Sequence, residues 1–402
     1  MAGVPGNAAL NATSGPVTVQ SGATTISYGA ATSGGSLNQP DLQGIVRSPR
    51  ARLLVDNTPL PGLIEATVDS NNHYQADAFT AELSLYADPA YGPDWWGVQD
   101  SLLVTMQFAL DAGWVTVFAG EIDLIDMDEG QGTVRLDGRD LSARFINART
   151  QEAFKNKTAS EVATILGVRR GLDTDVTATT TLIGRYYASD HDQLSNGELS
   201  RTTTEWDLLT YLADHEGFDV WVSGTTLHFK PLTRPDATPW VVKWSRPPGG
   251  PPISNAITLR LERHLVLAKD LIVEVRSWDS SKGKGFTKTA KATKQPGQKT
   301  GKASAATPQK IVVTRPNLTQ DQAQKLANKI LDQETKHERV VHWTEPSDLA
   351  LTARTMMRLQ GVGTGWDQTY YVERVARRFS VQGGFTMDAR AKNRSVGSQV
   401  TL

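Results

Sequence analysis

The segment that most constrains how this chain can fold lies at residues 359–390, LQGVGTGWDQTYYVERVARRFSVQGGFTMDAR. Its pattern predicts a glycine-punctuated turn, a strand, a tight turn at Gly383 and Gly384 and a returning strand, because consecutive glycines tolerate the positive φ angles of two-residue hairpin turns. Alternation across the first strand places two sets of side chains on opposite faces: Tyr371, Glu373, Val375, Arg377 and Phe379, and Tyr370, Val372, Arg374, Ala376 and Arg378. We therefore predict a sheet that packs on one face and meets a partner on the other.

The chain of 402 residues is too long for one ordinary core, which predicts two to four domains. No window approaches the run of about 18 apolar residues that a membrane span requires, and no basic amino-terminal segment followed by an apolar core marks a signal peptide. The sequence has no cysteine, which excludes disulfides, thiolate metal sites and a cysteine nucleophile. Assembly in a reducing cytoplasm is the simplest interpretation, and no stable membrane association is expected.

The formal net charge of -1 conceals an asymmetry along the chain. Residues 41–150 carry 17 acidic and 7 basic side chains, a net of -10. Residues 1–40 carry no charge, so residues 151–402 sum to +9. Opposite charges in one chain indicate contacts between copies or with different partners. Chance variation among solvated faces is the alternative explanation.

A β-rich region is predicted over residues 50–145. Seven short apolar segments are separated there by turn residues, at 52–56, 63–68, 79–86, 102–108, 114–118, 122–126 and 133–137. This spacing indicates an antiparallel sandwich or small barrel. The alternation slips between Leu124 and Ile125, which predicts a β-bulge.

Helical patterns appear from about residue 155. Thr158 to Glu161 and Thr202 to Glu205 fit capping boxes, and Gly167 and Gly217 are expected to end the two helices. Strands at 218–222 and 226–230, joined by a Ser-Gly turn, predict a hairpin. Together these elements predict a small α/β domain.

Residues 246–253, RPPGGPPI, read as a stiff linker before further strands at 256–261 and 270–275. A loop from Ser281 to Lys310 then holds eight lysines and no acid. A helix follows, capped by Thr319 and Gln322, with its apolar stripe at Ala323, Leu326, Ala327, Ile330 and Leu331. The lysine loop contains a single aromatic residue, Phe286, so we expect a solvated or partner-ordered loop rather than a nucleic-acid surface.

A search for catalytic chemistry is mostly negative. The sites considered are the carboxylates Asp123, Asp126, Asp128 and Glu129, the Asp190-His191-Asp192 run, His337 and His342, the glycines from Gly361 to Gly365, and Gly297 to Lys302. Strand alternation separates the first carboxylates, and the histidines lack partners at ligand spacing. Neither glycine segment has the spacing or context of a phosphate loop. The sequence therefore predicts no enzyme and no catalytic, cofactor or metal site.

Two blocks carry a family resemblance: TEWDLLTYLADHEGFDVWV, within residues 204–230, and GVGTGWDQTYYVERVARRF at residues 361–379. With the order of β-rich and α/β regions, they make roughly residues 45–395 resemble the baseplate hub proteins of contractile phage tails, the phage late control D family. That family is related to the hub part of VgrG proteins in type VI secretion.

The resemblance implies a mainly β fold with α+β insertions, containing two tail-tube-like β-barrel domains, a small α/β domain and a helix-containing insertion. The expected boundaries are an extended arm at 1–45, a first barrel at 46–150, the α/β domain at 151–245, a second barrel at 246–280 and 340–402, and the lysine-rich insertion at 281–339. The arm and the lysine loop are not part of the family pattern.

The resemblance also implies a structural role. Three chains would supply six barrels, matching the hexameric tail tube to a trimeric spike around a channel. The implied partners are the tail tube protein, a separate spike protein, other baseplate proteins and the tape-measure protein, with DNA only in transit. The expected location is the virion, after assembly in the host cytoplasm. The alternatives are a tail-associated cell-wall hydrolase and a receptor-binding tail-tip adhesin.

Overall fold

The computed structural model describes most of the chain in a set of ranges. These are residues 17–21, 24–28, 48–72, 74–110, 113–150, 152, 154, 156–180, 182–183, 204–231, 238–265, 271–279, 284–291, 309–315, 318–363 and 365–393. The Asp190-His191-Asp192 run and Gly297 to Lys302 lie outside them. In the described ranges, no helix has the length and apolar character needed to cross a membrane.

The strands follow in chain order. They are β1 Val17–Ser21, β2 Thr24–Tyr28, β3 Arg50–Val55, β4 Thr58–Leu60, β5 Leu63–Asn71, β6 Ala78–Ser84, β7 Leu103–Ala109, β8 Val115–Asp128, β9 Thr133–Asp140, β10 Lys157–Thr158, β11 Asp173–Val176, β12 Leu182–Ile183, β13 Phe218–Ser223, β14 Thr226–Pro231, β15 Trp240–Ser245, β16 Ile253–Ser254, β17 Thr258–Arg263, β18 Leu271–Asp279, β19 Lys284–Lys291, β20 Gln309–Thr314, β21 Arg339–Pro346, β22 Met356–Gln360, β23 Thr369–Ser380 and β24 Gly384–Asn393.

The helices are fewer and shorter. They are α1 Pro93–Gly97, α2 Ala143–Ile146, α3 Ala159–Arg169, α4 Glu205–Glu216 and α5 Gln320–Thr335, with 3-10 turns at Pro89–Tyr91 and Lys336–Glu338. The boxes at Thr158 and Thr319 form as predicted. The box predicted at Thr202 lies two residues later, where Thr204 and Asp207 exchange bonds. Gly217 ends α4 at φ 72°, whereas α3 runs past Gly167 to Arg169.

Fourteen strands join in one sheet, which confirms the mainly β class. The main hydrogen-bonded path is β16-β15-β22-β23-β5-β6-β9-β8-β7-β3-β4, and β24, β21 and β17 extend from β23 as a branch. We call β3 to β9 the first half, and β15 to β17 with β21 to β24 the second half. Within the described ranges, the strand order of neither half returns to its first strand, so these pairings do not show closure of the two expected barrels.

The long strand β23 joins the two halves. On one edge its first residues pair with β22 and its last residues, from Arg374 to Ser380, pair with β5, while β24 runs along its other edge. A register shift between Val372 and Arg374 interrupts the side-chain alternation. The predicted faces of this strand are therefore wrong across the bulge, because Tyr370 and Val372 lie in the same core as Val375.

Each half has its own core. In the first half, Phe108 stacks on Phe385 of β24 with ring centroids 4.6 Å apart, so the hairpin of the second half reaches into the first core. In the second half, the buried Glu345 carboxylate accepts the indole N–H of Trp240 at 2.7 Å and of Trp343 at 2.8 Å. These bonds tie β15 to β21. Strand β15 falls within residues 151–245, where the α/β domain was predicted. It nevertheless pairs with β22 of the second half.

The α/β segment forms a third unit around its own core. The hairpin predicted at 218–230 is present as β13 and β14, and β11 pairs in parallel with β14. Helices α3 and α4 pack their apolar faces against these strands, with Leu166, Leu209 and Leu212 buried.

The predicted lysine loop is partly regular structure. Residues 284–291 form β19, antiparallel to β18, and Lys310 lies in β20, parallel to β18. One face of this three-stranded sheet is covered by the predicted stripe of α5, in which Ala323, Ala327 and Leu331 are buried. The structure therefore places β18 with the insertion rather than with the second half. Within residues 1–45, β1 and β2 form an antiparallel hairpin where an extended arm was expected.

Candidate functional site: a polar sheet face with two open edges

Eight strands run side by side through both halves. Their order is β17-β21-β24-β23-β5-β6-β9-β8, and every adjacent pair is antiparallel. One face of this sheet packs on the two cores, as shown by the buried side chains of Val68, Leu136 and Met387. Because side chains alternate across each strand, the opposite face carries the remaining residues. We call it the polar face.

Cross-strand ion pairs and hydrogen bonds span the polar face. Arg374 of β23 donates to Asp69 of β5 at 2.8 Å, which is a contact across the junction of the halves. Thr344 of β21 donates to Asp388 of β24 at 2.6 Å. In the first half, Thr80 donates to Asp137 at 2.7 Å. Partly exposed pairs of this kind stabilise a fold weakly, so their placement describes a hydrated surface rather than a source of stability.

The two halves of the polar face differ in charge. Strands β5, β6, β9 and β8 present Glu65, Asp69, Glu82, Asp126 and Asp137 with Arg135 and Arg139. Strands β23, β24, β21 and β17 present Arg374, Arg378, Arg390 and Arg260 with Asp388 and Glu262. The charge asymmetry of the sequence therefore continues onto one continuous surface.

Both ends of the eight-stranded sheet are open. In the part of the chain that the structure describes, β17 pairs with β21 alone, and β8 beyond Ile122 pairs with β9 alone. The β17 edge exposes Arg260, at 76% of its side chain, between the exposed Ile257 and Leu265. The β8 edge exposes Leu124, at 53%, next to Asp126. Unpaired edges with exposed apolar side chains are prone to pair with another chain.

The structure disperses the carboxylates considered in the sequence. Asp123 is the bulge residue of β8, one position before the predicted slip, and it accepts Arg139 at 2.6 Å. Asp128 caps its own turn through the N–H of Gln131 at 2.9 Å, and Glu129 accepts the Tyr86 hydroxyl. Asp126 stands opposite Arg135. These arrangements are structural contacts of a strand and its turn.

The histidines and the glycine loop have structural partners as well. His337 lies 3.0 Å from the Lys392 ammonium, and His342 lies 3.4 Å from the Glu262 carboxylate. The Asp367 carboxylate accepts the backbone N–H groups of Gly361 and Val362, each at 3.0 Å. The N–H groups of this glycine loop therefore bind a carboxylate of the same chain. In the described ranges, no group of three or more histidine, aspartate or glutamate side chains could hold a metal ion.

A small polar pocket that was not predicted from the sequence lies where the first half, the α/β unit and the second half meet. Asp140 accepts the Ser142 N–H at 3.1 Å, and Asp77 accepts the Asn71 N–H at 2.9 Å. Burial raises the pKa of Asp77 to about 6. Burial, with repulsion from Asp77, raises the pKa of Asp140 to about 7. Only the register of β6 on β9 brings these carboxyls together, so no local signal could have found them.

Arg354 of the second half closes the other side of this pocket. Its guanidinium donates to Asp219 at 3.0 Å and lies 4.4 Å from the centre of the Trp221 ring. Both partners belong to β13 of the α/β unit. The pocket is therefore a three-way joint between structural units.

The fold is that of phage tail proteins of known structure. A tail protein from Neisseria meningitidis MC58 superposes with a TM-score of 0.62 at 15% identity, covering 86% of this chain and 96% of that one. The 43 kDa tail protein of prophage MuSo2 from Shewanella oneidensis gives 0.60 at 14% identity, covering 86% and 98%. A chain of the Francisella PdpA-VgrG complex gives 0.51 at 10% identity, covering 87% and 59%.

The resemblance predicted from the sequence is thus confirmed at the level of the fold. Comparison with protein-family models finds no match. Comparison with curated proteins also finds none.

Proposed function

We propose that this chain is a structural, non-enzymatic hub of a contractile phage tail or a related injection machine. In this proposal three copies form a ring that joins a hexameric tail tube to a trimeric spike. The observation that carries it is the eight-stranded sheet, which runs through both halves and ends in two open edges. The fold shared with tail proteins supports the same role.

Threefold assembly would give the ring sixfold character. Each copy contributes two sheet halves, so three copies present six units of similar kind to a six-subunit tube. Pairing of the open edge of one copy with that of the next removes both edges, which are a liability in an isolated chain. The two edges of one chain differ, so copies associate head to tail, and in this proposal the rotation between neighbours closes a ring of three rather than an open filament.

The two edges are complementary in chemistry. The β17 edge combines exposed Ile257 and Leu265 with Arg260, a largely exposed cation that pairs with Glu262 of the same strand at 2.7 Å, and the β8 edge combines exposed Leu124 with the anion Asp126. Opposite charges at an interface favour the correct partner edge over a like edge, because like charges placed together are destabilising. We infer that β17 of one copy lies beside the carboxyl-terminal part of β8 of its neighbour.

The polar face would then line the channel. Its hydrated ion pairs offer no large apolar patch to a passing polymer, and the acids of β5, β6, β8 and β9 would make part of the wall negative. Tape-measure protein and DNA would pass along it without stable binding. The tube and spike would occupy opposite rims in the virion, with other baseplate proteins around the outside.

Charge reversal tests the ring. Arg260→Glu alone and Asp126→Arg alone are each expected to weaken assembly at least tenfold, because each places like charges across the contact. The double variant is expected to recover most of the loss. The measurement is the mass by light scattering over a range of protein concentrations, with three times the 43.7 kDa chain mass as the assembled state.

Glu334→Arg on the exposed side of α5 is the matched control, because it reverses a charge away from both edges. A wild-type mass equal to one chain at every concentration would reject the ring. Single variants that assemble as well as the wild type would reject this pair of edges.

A further inference from the structure

The insertion formed by β18, β19, β20 and α5 carries a surface that the hub role does not use. Helix α5 covers one face of its three-stranded sheet, and Val273, Val275 and Ala290 point toward the helix. The opposite face consists of the alternate residues: Ile272, Glu274, Arg276 and Trp278 of β18, Gly285, Thr287, Thr289 and Lys291 of β19, and Lys310, Val312 and Thr314 of β20. We call it the basic sheet face.

The basic sheet face is open to solvent in the described structure. Trp278 is 54% exposed and Val312 is 45% exposed, which is unusual for side chains of this size on a regular sheet. The Trp278 ring lies over Gly285, since a Cβ atom there would meet the ring at 3.3 Å. A tryptophan held flat against a glycine is a preformed contact area that loses little freedom on binding.

Cations surround this apolar centre. Arg276 donates to Glu274 at 2.7 Å, and Lys310 also pairs with Glu274, so one carboxylate is shared by two cations. Lys291 lies on the same face. Phe286 is the one aromatic residue between Ser281 and Lys310, because Trp278 precedes that segment in the sequence. Pairing of β18 with β19 brings this tryptophan beside the lysines.

The two edges of the small sheet differ in how they are protected. Strand β19 carries Lys284, Lys288 and Lys291, and lysines along an edge discourage pairing with another strand. Strand β20 holds Ile311, Val312 and Val313 without a charge between them. Within the described ranges β20 pairs with β18 alone, so this β-branched edge can accept a strand.

We propose that the β20 edge and the basic sheet face bind an acidic polypeptide strand of a partner protein. The strand would extend the sheet beside β20 and place alternate acidic side chains near Lys310 and toward Arg276 of the next strand, β18. A protein strand fits better than nucleic acid, because Trp278 is the one aromatic side chain of this face in the described ranges, whereas an open strand edge supplies a row of backbone hydrogen bonds. The proposal holds whether or not the chain forms a threefold ring.

The test uses the purified full chain and labelled peptide probes measured by fluorescence anisotropy. The first probe is a seven-residue peptide alternating Asp or Glu with Val or Ile, and the second has lysine at each acidic position. Two further probes keep the acidic sequence but carry backbone N-methyl groups on one or the other alternate set of residues. The last probe is a single-stranded oligothymidine.

The acidic peptide is expected to bind at least tenfold more tightly than the lysine peptide and the oligothymidine. One N-methylated version is expected to lose at least tenfold and the other to keep its affinity, because only one set of N–H groups faces β20. Lys310→Glu, on β20 itself, is expected to weaken binding three- to tenfold. Lys325 is exposed on α5, at the other side of the insertion, so Lys325→Glu is the matched control. Its affinity for the acidic peptide is expected to stay within twofold of the wild type.

Four results would overturn the proposal. Equal affinity for the acidic and lysine peptides would show that charge does not select the partner. Equal affinity for both N-methylated versions would show that the peptide does not bind as an added strand of the sheet. Tighter binding of oligothymidine, lost in Lys310→Glu, would make the surface a nucleic-acid site. Self-association of the wild type that is lost in Trp278→Ala, measured by light scattering, would show that a second copy occupies it. Melting temperatures matching the wild type exclude misfolding, and charge-neutral Lys310→Gln provides a second variant.

Discussion

Asp77 and Asp140 show how single residues at the joint of three units couple its stability to pH. Burial raises the pKa of both carboxyls above the usual value of 3.8, so the folded protein holds protons that the unfolded chain releases. The contribution of these two carboxyls to stability is therefore fully present when the pH lies below the unfolded pKa, and it is lost as the pH rises through the folded pKa values near 6 and 7. Arg354 and Arg377 lie near enough to Asp77 to influence its charge, and each favours the ionised form.

Asp140→Asn tests this coupling. Asparagine keeps the oxygen that accepts from Ser142 but cannot ionise. Its free energy of unfolding is expected to exceed that of the wild type by about 4 kcal/mol at pH 8 and to approach it near pH 4. Urea denaturation at several pH values measures the difference. Asp94→Asn, at an exposed position, is expected to keep the wild-type pH dependence, and a constant difference between Asp140→Asn and wild type would contradict the account.

Single residues were predictable from sequence only where their partners are local. The caps at Thr158 and Thr319 involve residues three positions away, and both were predicted correctly. Glu345, which accepts two buried indoles, gave no signal because Trp240 lies 105 residues away. Trp278 was overlooked for the same reason, since its exposure depends on strand pairing.

At the scale of elements, close approach of β8 and β9 depends on glycine. A Cβ atom at Gly138 would lie 2.2 Å from the Glu121 carbonyl oxygen and 2.5 Å from Phe79. The backbone contact cannot be relieved by a side-chain rotation. An alanine at position 138 would therefore force β8 and β9 apart at this point.

Gly138→Ala is therefore expected to lower the free energy of unfolding by about 3 kcal/mol, the upper range for overpacking a well-packed site. Gly97→Ala is the control, because a Cβ atom there meets nothing within 4 Å. Chemical denaturation of the two variants gives the comparison. A loss below 1 kcal/mol for Gly138→Ala would mean that the strands can move apart at little cost.

The elements themselves were more predictable than their registers. The segments predicted at 114–118 and 122–126 are one continuous strand, β8, because the bulge bends the strand without ending it. The bulge in β23 was not predicted, because only the register of β23 on β24 identifies Glu373 as the extra residue. Bulges depend on the neighbouring strand, which a local pattern does not contain.

For the whole molecule, the polar face gives a test that exploits the absence of cysteine from the sequence. Thr67→Cys and Glu82→Cys place single thiols on this face, and Lys325→Cys places one on α5. In an assembled ring the first two are expected to react at least tenfold more slowly with a maleimide coupled to a globular protein, because the channel excludes it. Lys325→Cys is expected to react equally in both states.

The same thiols in an Arg260→Glu background provide the unassembled reference. Thiols on the polar face that react equally fast in both backgrounds would place this face on the outside of the assembly. A small maleimide is expected to label every position in both backgrounds, which verifies that the thiols themselves are competent.

The general architecture was predictable from two sequence blocks, and the fold comparisons agree with it. The assignment of strands between units was less so: β15 joins the second half and β18 joins the insertion. Both strands have ordinary alternating or apolar patterns. The partner of β15, β22, lies far along the chain and leaves no local mark, whereas β18 pairs with the strand that follows it, β19, and with the more distant β20.

The pairing of β5 with β23 brings together residues about 300 positions apart, as in the Arg374 to Asp69 contact, separated by 305. Contacts so distant in sequence form slowly, because a long loop must close before they are made. During synthesis, one edge of β5 therefore stays unpaired until β23 has been made and has left the ribosome. A chain stalled before residue 369 would expose that edge, making incomplete products of this protein candidates for aggregation or degradation rather than partial assembly.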